Sequence, residues 1–444
     1  TDSGGTIIGS ATEANLLFQA TDIWCNALGK SVLVGIPSNI SHMFDDAVAN
    51  GSRVHTNSWG SDAEGEYTTN SMQADIGARI HRNLTILFAA GNEGIDSNSD
   101  GEVDDDSLGA PASGKNVLTV GASENNRTTL PTPTCSGSGC STPFLWGWSL
   151  CESGTVVCYP VAPISSDPAA GDPQGMAAFS SRGPTDDSRL KPEITAPGTY
   201  ILSTKSRSTT STGWGAYNSS YVYMGGTSMA TPLTAGIAAL LLQHLMENAN
   251  NSNPTSALVK GIFTAAGDDM TGQYSSSTNG AGEPAPNNHE GWGLVNLTRM
   301  MNTSYIEGEG VSTGEERSFR FTVPASTPDL RVIISWTDPE STTSASVNLV
   351  NDLDLNLKKP DGTWINISNN RDNLVGKILS NPASGIWEVH VTGTSVPVGP
   401  QDFSIVLSRA FTMVNISADL DADGFIDTIG DCSSVFGLST VDRT

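Results

Sequence analysis

Two short runs carry residue types suited to acyl-transfer chemistry. Residues 225–232 read GGTSMATP and residues 88–94 read FAAGNEG. In the first run, small residues deliver Ser228 to the start of an apolar stretch with helical spacing. Thr231-Pro232 suits an opening turn, where a missing N–H costs nothing. A serine hydroxyl there can act as a nucleophile, because a helix N-terminus carries positive potential that favours a developing oxyanion. In the second run, an apolar strand ends on glycine and then Asn92, whose carboxamide can donate to a tetrahedral oxyanion. Either run alone has an ordinary reading, a serine cap or an asparagine turn. Both in one chain, in this order, predict Ser228 as nucleophile and Asn92 as oxyanion donor.

Other elements must hold these two loops together. Residues 14–19 (ANLLFQ) read as a buried strand, 37–50 as a helix, 53–58 as a strand and 67–82 as a helix. Apolar runs at 84–91 and 116–122 read as further strands, and 191–203 continues the pattern. Such alternation predicts an α/β fold with a parallel sheet flanked by helices. Long helices are expected from Ser228 to about Met246 and from about Pro254 to Ala266. After Tyr305 only alternating stretches remain, among them RSFRFTVP, LRVIISWT, LDLNLKKP, GIWEVHVT and FSIVLSRA. They predict an all-β sandwich or jelly roll. The expected organisation is an α/β domain at 1–304, a β-sandwich or jelly roll at 305–412 and an Asp-rich tail at 413–444.

Residues 125–175 interrupt the α/β pattern with Cys135, Cys140, Cys151 and Cys158 in a Gly/Ser/Pro-rich setting. The spacings are not CxxC and no histidine is near, so two disulfides stapling a surface excursion fit better than zinc. Their connectivity stays open. Cys25 is expected as a buried free thiol. Acidic residues number 47 against 22 basic ones, for a net charge of −25, which argues against a nucleic-acid partner and suits an extracellular protein. No apolar run is expected to reach the length of a membrane span. The Asp runs suggest structural calcium. Asp96, Asn98, Asp100 and Asp104 follow the spacing of an EF-hand-like loop, with a solvated acidic loop as the alternative. Asp419, Asp421, Asp423 and Asp427 alternate around Gly424, again suiting calcium. Asp352 and Asp354 share one face of a strand.

Taken together, HTNSWG (55–60), FAAGNEG, FSSRGPT (179–185), KPEITAPGTYILS (191–203) and YMGGTSMATP resemble the subtilase superfamily of serine proteases, and especially its oxidation-stable alkaline protease branch. LVNDLDL (349–355) and VPVGPQDFS (396–404) match that branch's C-terminal β domain. The resemblance runs from residue 6 to about 410, apart from the insertion. It implies a secreted endopeptidase acting on proteins or peptides, expected as a monomer. It implies that Ser58, Trp59 and Gly60 line the substrate cleft, and that Ala89, Ala90 and Gly91 wall the primary specificity pocket. It also implies calcium in the β domain, and the 419–432 run resembles a thrombospondin type 3-like repeat unit. The family activates its serine with a histidine oriented by an aspartate, and neither of those motifs occurs here. His55 lies on the strand leading to Ser58 and reads as structural or cleft-lining. Residues 6–19 match the segment just after the histidine helix in the family. Both triad partners are therefore expected upstream, and residues 1–444 alone are expected to be inactive. The alternative is a non-catalytic, calcium-dependent binding or adhesive protein on a degenerate protease domain.

Overall fold

The computed structural model describes residues 5–25, 30–127, 145–148, 158–207, 209–271 and 284–415. An antiparallel ribbon of β1 (Asp22–Cys25) and β2 (Lys30–Leu33) precedes α1 (Ser41–Ala49). Then come β3 (Val54–Asn57), α2 (Thr69–Ile80), β4 (Thr85–Ala89), β5 (Leu118–Ser123) and β6 (Ile194–Pro197). These four strands form a parallel sheet in the order β3-β4-β5-β6. β4 reads TILFA because both of its faces are covered, so no polar alternation is needed. Ile86 and Phe88 join Phe44 of α1 and Ala74 and Ala78 of α2 in one core. Leu87 enters a second and larger core with Leu118 and Val120.

That larger core is closed by α3 (Thr227–Glu247) and α4 (Ser256–Ala265). They come after an antiparallel trio, β7 (Ile201–Thr204), β8 (Gly215–Ala216) and β9 (Tyr221–Met224), ordered β7-β9-β8. By length and composition α3 could cross a membrane, which corrects the expectation that no apolar run is long enough. In the fold it packs along all four parallel strands, with Ala230, Ala238 and Leu241 fully buried. It is a core helix, and its apolarity reflects cover on several sides.

A short α5 (Leu297–Met300) leads into the antiparallel region. Its strands are β10 (Ser304–Val311), β11 (Glu316–Val323), β12 (Asp329–Ser335), β13 (Asp352–Lys358), β14 (Trp364–Ile367), β15 (Leu374–Ser380), β16 (Gly385–Ser395), β17 (Gln401–Leu407) and β18 (Met413–Asn415). They form two sheets, β10-β17-β12-β15 and β14-β13-β16-β11-β18, around one core. In β13, Leu353, Leu355 and Leu357 are fully buried while Asp352, Asp354 and Asn356 lie on the opposite face and are half-buried, the two-residue period of a strand with one face in the core.

The two halves share interior. Ile333, Leu374 and Val406 of the sandwich belong to the same core as Leu258, Ile262 and Phe263 of α4. Gly261 allows this approach, since a Cβ there would lie 2.6 Å from Ser335 Oγ. Buried charge crosses the joint as well. Lys115 Nζ meets the Asp338 carboxylate and donates to Pro339 O at 2.5 Å and Asn348 O at 2.7 Å. Arg331 Nη1 donates to Trp292 O at 2.6 Å and Thr264 O at 3.2 Å.

Two expectations are corrected. Residues 14–19 form no strand: Leu16 and Phe18 are 94% and 87% exposed, and β3 is an edge strand with β4 as its partner. An apolar run needs a neighbouring strand before it can join a sheet. The insertion is not wholly a surface excursion either. Trp146 and Tyr159 are buried and meet edge-on, and Trp146 meets Phe179 of the main fold in the same way. Cys135, Cys140, Cys151, the Cys25 side chain, Cys432 and the 419–427 aspartates lie outside the described residues.

Candidate active site

Helix α3 begins at Gly226, whose φ of +142° suits glycine. Its N–H donates to Gly198 O at 2.8 Å. No side chain of its own N-cap residue caps the helix. The cap comes from the other loop: Asn92 Oδ1 accepts the Thr227 N–H at 2.9 Å. Thr227 Oγ1 lies 3.1 Å from both Asn92 Oδ1 and Gly91 O. A backbone donor left over at a helix start is thus satisfied across 135 positions of sequence. With Oδ1 committed to Thr227, the Asn92 Nδ2 donors are left for another acceptor.

Ser228 is the second residue of α3, so no helical carbonyl lies one turn back for its N–H. Its own carbonyl would normally accept from residue 232, but Pro232 has no N–H. Ser58 Oγ fills that role, donating to Ser228 O at 2.8 Å, while Ser228 Oγ donates to Ser58 O at 3.4 Å. Pro232 was expected in the opening turn; it lies deeper, and its missing N–H is what frees Ser228 O for Ser58.

Ser58, Trp59 and Gly60 form one wall of a cavity of about 1250 Å3 that also reaches Asn92 and Ser228. Ala89 and Gly91 line the facing wall, and Ala90 is buried behind it. A short bridge ties the walls together. Ser61 and Ala110 exchange hydrogen bonds at 2.9 Å, and the Gly109 N–H donates to Ala90 O at 2.9 Å. Trp59 meets Phe88 edge-on at 5.4 Å, which fixes the first wall against β4.

Glu93 braces the loop that carries Asn92. Its Oε2 accepts the Asn92 N–H at 2.5 Å and the Ser181 hydroxyl at 2.9 Å, and Ser181 Oγ accepts the Glu93 N–H at 3.1 Å. Burial, with the charge of Asp62 as a lesser cause, pushes the Glu93 carboxyl up. Thr227, Glu93 and Ser181 escaped the sequence reading. Thr227 adjoins Ser228 and could have been suspected, but nothing local marks Ser181 as a partner of Glu93.

None of the six histidines is bonded to Ser228, whose Oγ has Ser58 O as its partner among the described residues. His55 is held at both ring nitrogens, by Gln19 Oε1 at 2.8 Å and Asn57 Nδ2 at 2.9 Å. Burial lowers its pKa to about 4, so it stays neutral.

The residues expected to hold metal divide into two groups. Asp96, Asn98 and Asp100 do converge, but on backbone N–H groups. Asp96 Oδ1 accepts from Asp100 N at 3.0 Å, Asn98 Oδ1 from Asp100 N at 2.9 Å, and Asp100 Oδ1 from Glu102 N at 3.0 Å. Asp104 Oδ2 accepts from Ser97 N at 2.8 Å. Among the described residues no cluster of three or more His, Cys, Asp or Glu is gathered to hold an ion. Asp352 Oδ1 and Asp354 Oδ1, by contrast, are buried with no hydrogen-bond partner, and such oxygens fit a cation. Burial, then the charges of Asp354 and Asp338, push the Asp352 carboxyl up to about 6.

Ser228 thus stands at a helix start that Asn92 caps from another loop, and both line one cavity. The chain belongs to the subtilase family, whose model matches residues 2–293. It is 28% identical to the serine protease/ABC transporter B family protein tagD of Dictyostelium discoideum, over 83% of this chain and 26% of that protein. It is 32% identical to serine protease AprX of Bacillus subtilis (strain 168), over 36% of this chain and 26% of that one. The chain therefore spans about a quarter of the length of the first of these relatives. The prenylagaramide maturation protease PagA has a solved structure that aligns with 59% of this chain and 65% of its own, at 20% identity and a TM-score of 0.34.

Proposed function

We propose that the protein is a secreted serine endopeptidase, acting as a monomer on proteins or peptides through an acyl-enzyme on Ser228. One observation carries this reading. Asn92 caps α3 through its carbonyl oxygen, so its amide and the Ser228 N–H are both left as donors at the cavity that Asn92 and Ser228 line together. A peptide lies extended along Ser58–Gly60. Ser228 Oγ attacks the scissile carbonyl carbon as its proton passes to a base. The carbonyl oxygen takes the negative charge and is held by Asn92 Nδ2 and the Ser228 N–H. The C–N bond then breaks, the amine leaves with the proton from the base, and the acyl group stays on Oγ. Water, giving a proton to the same base, attacks the acyl carbon, and Ser228 recovers its proton as the acid leaves.

His55 is neutral and held at both nitrogens, so it does not suit the role of base. We assign the base and its orienting aspartate to sequence upstream of residue 1. The groove beside Ser228, lined by Leu16, Phe18 and His55, leaves room for an element that carries them. Secretion is supported by the net charge of −25 and by Cys158, which is disulfide-bonded. Structural calcium is assigned to Asp352 and Asp354, and to the 419–427 aspartates. Calcium there would supply charge neutralisation between carboxylates that otherwise repel.

The deciding experiment compares residues 1–444 with an upstream-extended form on a fluorogenic peptide. Hydrolysis is expected from the extended form alone and should vanish in Ser228→Ala. Robust turnover by the shorter form, or turnover that survives Ser228→Ala, overturns the reading.

A further inference from the structure

The outer face of the sandwich presents a large side chain that the peptidase chemistry does not use. In β14, Ile365 and Ile367 pack against the sandwich core, while Trp364 and Asn366 stand exposed on the other face. β14 is an edge strand, paired with β13 so that Lys358 lies opposite Trp364 and Asn356 opposite Asn366. Trp364 is 49% exposed. The Lys358 ammonium lies 5.7 Å from the ring centroid, and the His390 ring meets it at 4.7 Å and 63°. These contacts hold the indole in place, yet they leave about half of a large apolar surface to water.

Asn366 heads the triplet Asn366-Ile367-Ser368, an Asn-X-Ser sequence of the kind that accepts an N-linked sugar in a secreted protein. Such triplets recur along the chain, and a triplet alone decides nothing. Geometry separates them. Asn83 Nδ2 donates to Asn253 O at 2.7 Å and Pro254 O at 3.1 Å, and Asn296 Nδ2 to Asp268 Oδ2 at 2.7 Å, so both amides are committed inside the fold. Asn366 and Ser368 are exposed, and the Asn366 side chain makes no hydrogen bond among the described residues. Residues two apart on a strand share a face at a spacing of about 6–7 Å, within reach of one sugar ring.

We propose that Asn366 is N-glycosylated and that its first sugar packs on Trp364. This rests on the secretion part of the proposed function and not on the peptidase chemistry. The donor is an oligosaccharide carried on a lipid pyrophosphate. Asn366 Nδ2 bonds to the anomeric carbon as the C–O bond to the pyrophosphate breaks. The pyrophosphate leaves with that electron pair, and Nδ2 gives up one proton. The C–H groups on the sugar's apolar face then lie against the electron-rich face of the indole, while its hydroxyls stay in water.

The test expresses the upstream-extended form behind a supplied export leader in cultured animal cells. Peptide-N-glycosidase in heavy-oxygen water then marks each occupied asparagine as labelled aspartate for mass spectrometry. Label is expected at Asn366. It should persist in Ser368→Thr and vanish in Ser368→Ala, which leaves Asn366 itself in place. Asn366→Gln should lower the melting temperature of the glycosylated protein by about 2 °C or more. In a Trp364→Ala background the same change should add no loss, because the sugar–ring contact is already gone. An unlabelled Asn366 in the exported chain overturns the proposal, and so do equal losses from Asn366→Gln with and without Trp364. The same chain without the supplied leader tests secretion by itself: retention in the cell refutes secretion, while label on the leader-bearing chain still decides Asn366.

Discussion

Lys115→Met should destabilise the protein more than any exposed change of charge. The Lys115 and Asp338 side chains are both 0% exposed. Besides Lys115, the Asp338 carboxylate accepts from Val350 N at 2.9 Å and Asn351 N at 2.8 Å. Methionine keeps the length and apolar stem, so little cavity opens and the loss is electrostatic. It strips the charge partner from Asp338 and the donor from Pro339 O and Asn348 O. Breaking a buried pair costs about 3–5 kcal/mol, and each orphaned carbonyl adds about 1–3 kcal/mol unless water enters. Proton uptake by Asp338 limits the sum, and a net loss of about 4 kcal/mol is expected. That is about a quarter or more of the stability of an ordinary domain, about 5–15 kcal/mol. Adding Asp338→Asn should recover part of it, with a coupling of about 2 kcal/mol between the two sites. Urea unfolding of the four proteins, monitored by tryptophan fluorescence, measures this. Trp336 reports from the sandwich core and Trp146 from the α/β core. A loss below about 1 kcal/mol, or strictly additive losses, would show that the buried pair does not fasten the two halves.

Three further outcomes are expected. Asn92→Ala in the active form should lower kcat far more than it changes KM, by about 10²–10³-fold, a size borrowed from the known subtilisin oxyanion donor; loss in KM alone would remove Asn92 from that role. Glu124 is buried, beside Asp167 and accepting from Trp146 Nε1 at 3.1 Å, and burial, then the Asp167 charge, raises its carboxyl pKa. A raised folded pKa gives stability that is complete below the unfolded value, near 4.5, and lost as pH rises through the folded value. Glu124→Gln should therefore flatten the loss of stability from mildly acid to alkaline pH, and an unchanged pH profile of urea midpoints would refute it. Chelation should lower the melting temperature, and Asp352→Asn should remove part of that response; identical melting curves with and without chelator would leave Asp352 and Asp354 as plain surface carboxylates.

The alternation of strand and helix was legible, because a parallel sheet needs apolar strands and crossover helices of recognisable length. Ser228 and Asn92 were legible because small residues and a helix start surround them. What joins them was not. The Asn92–Thr227 cap and the Glu93–Ser181 brace span 135 and 88 positions, and no local pattern records such pairings. Residues 14–19 misled for a related reason: apolar spacing says that a segment seeks cover, not that a strand lies beside it. Pro232 misled because a residue's identity does not reveal its depth in the helix. Aspartate spacing likewise does not say whether carboxylate oxygens turn toward an ion or toward backbone N–H groups, and at Asp96 and Asp100 they turn to the backbone.

Helix α4 has a consequence for how the protein comes into being. It is covered on one side by the α/β core and on the other by β12 and β17, the latter ending at Leu407. A ribosome that has released residues 1–304 has released a helix whose sandwich-facing side is bare and a lysine whose counter-ion is still unmade. Synthesis supplies Asp338 and β17 only after the whole α/β region, so the early part stays an incomplete intermediate until Leu407 has been made.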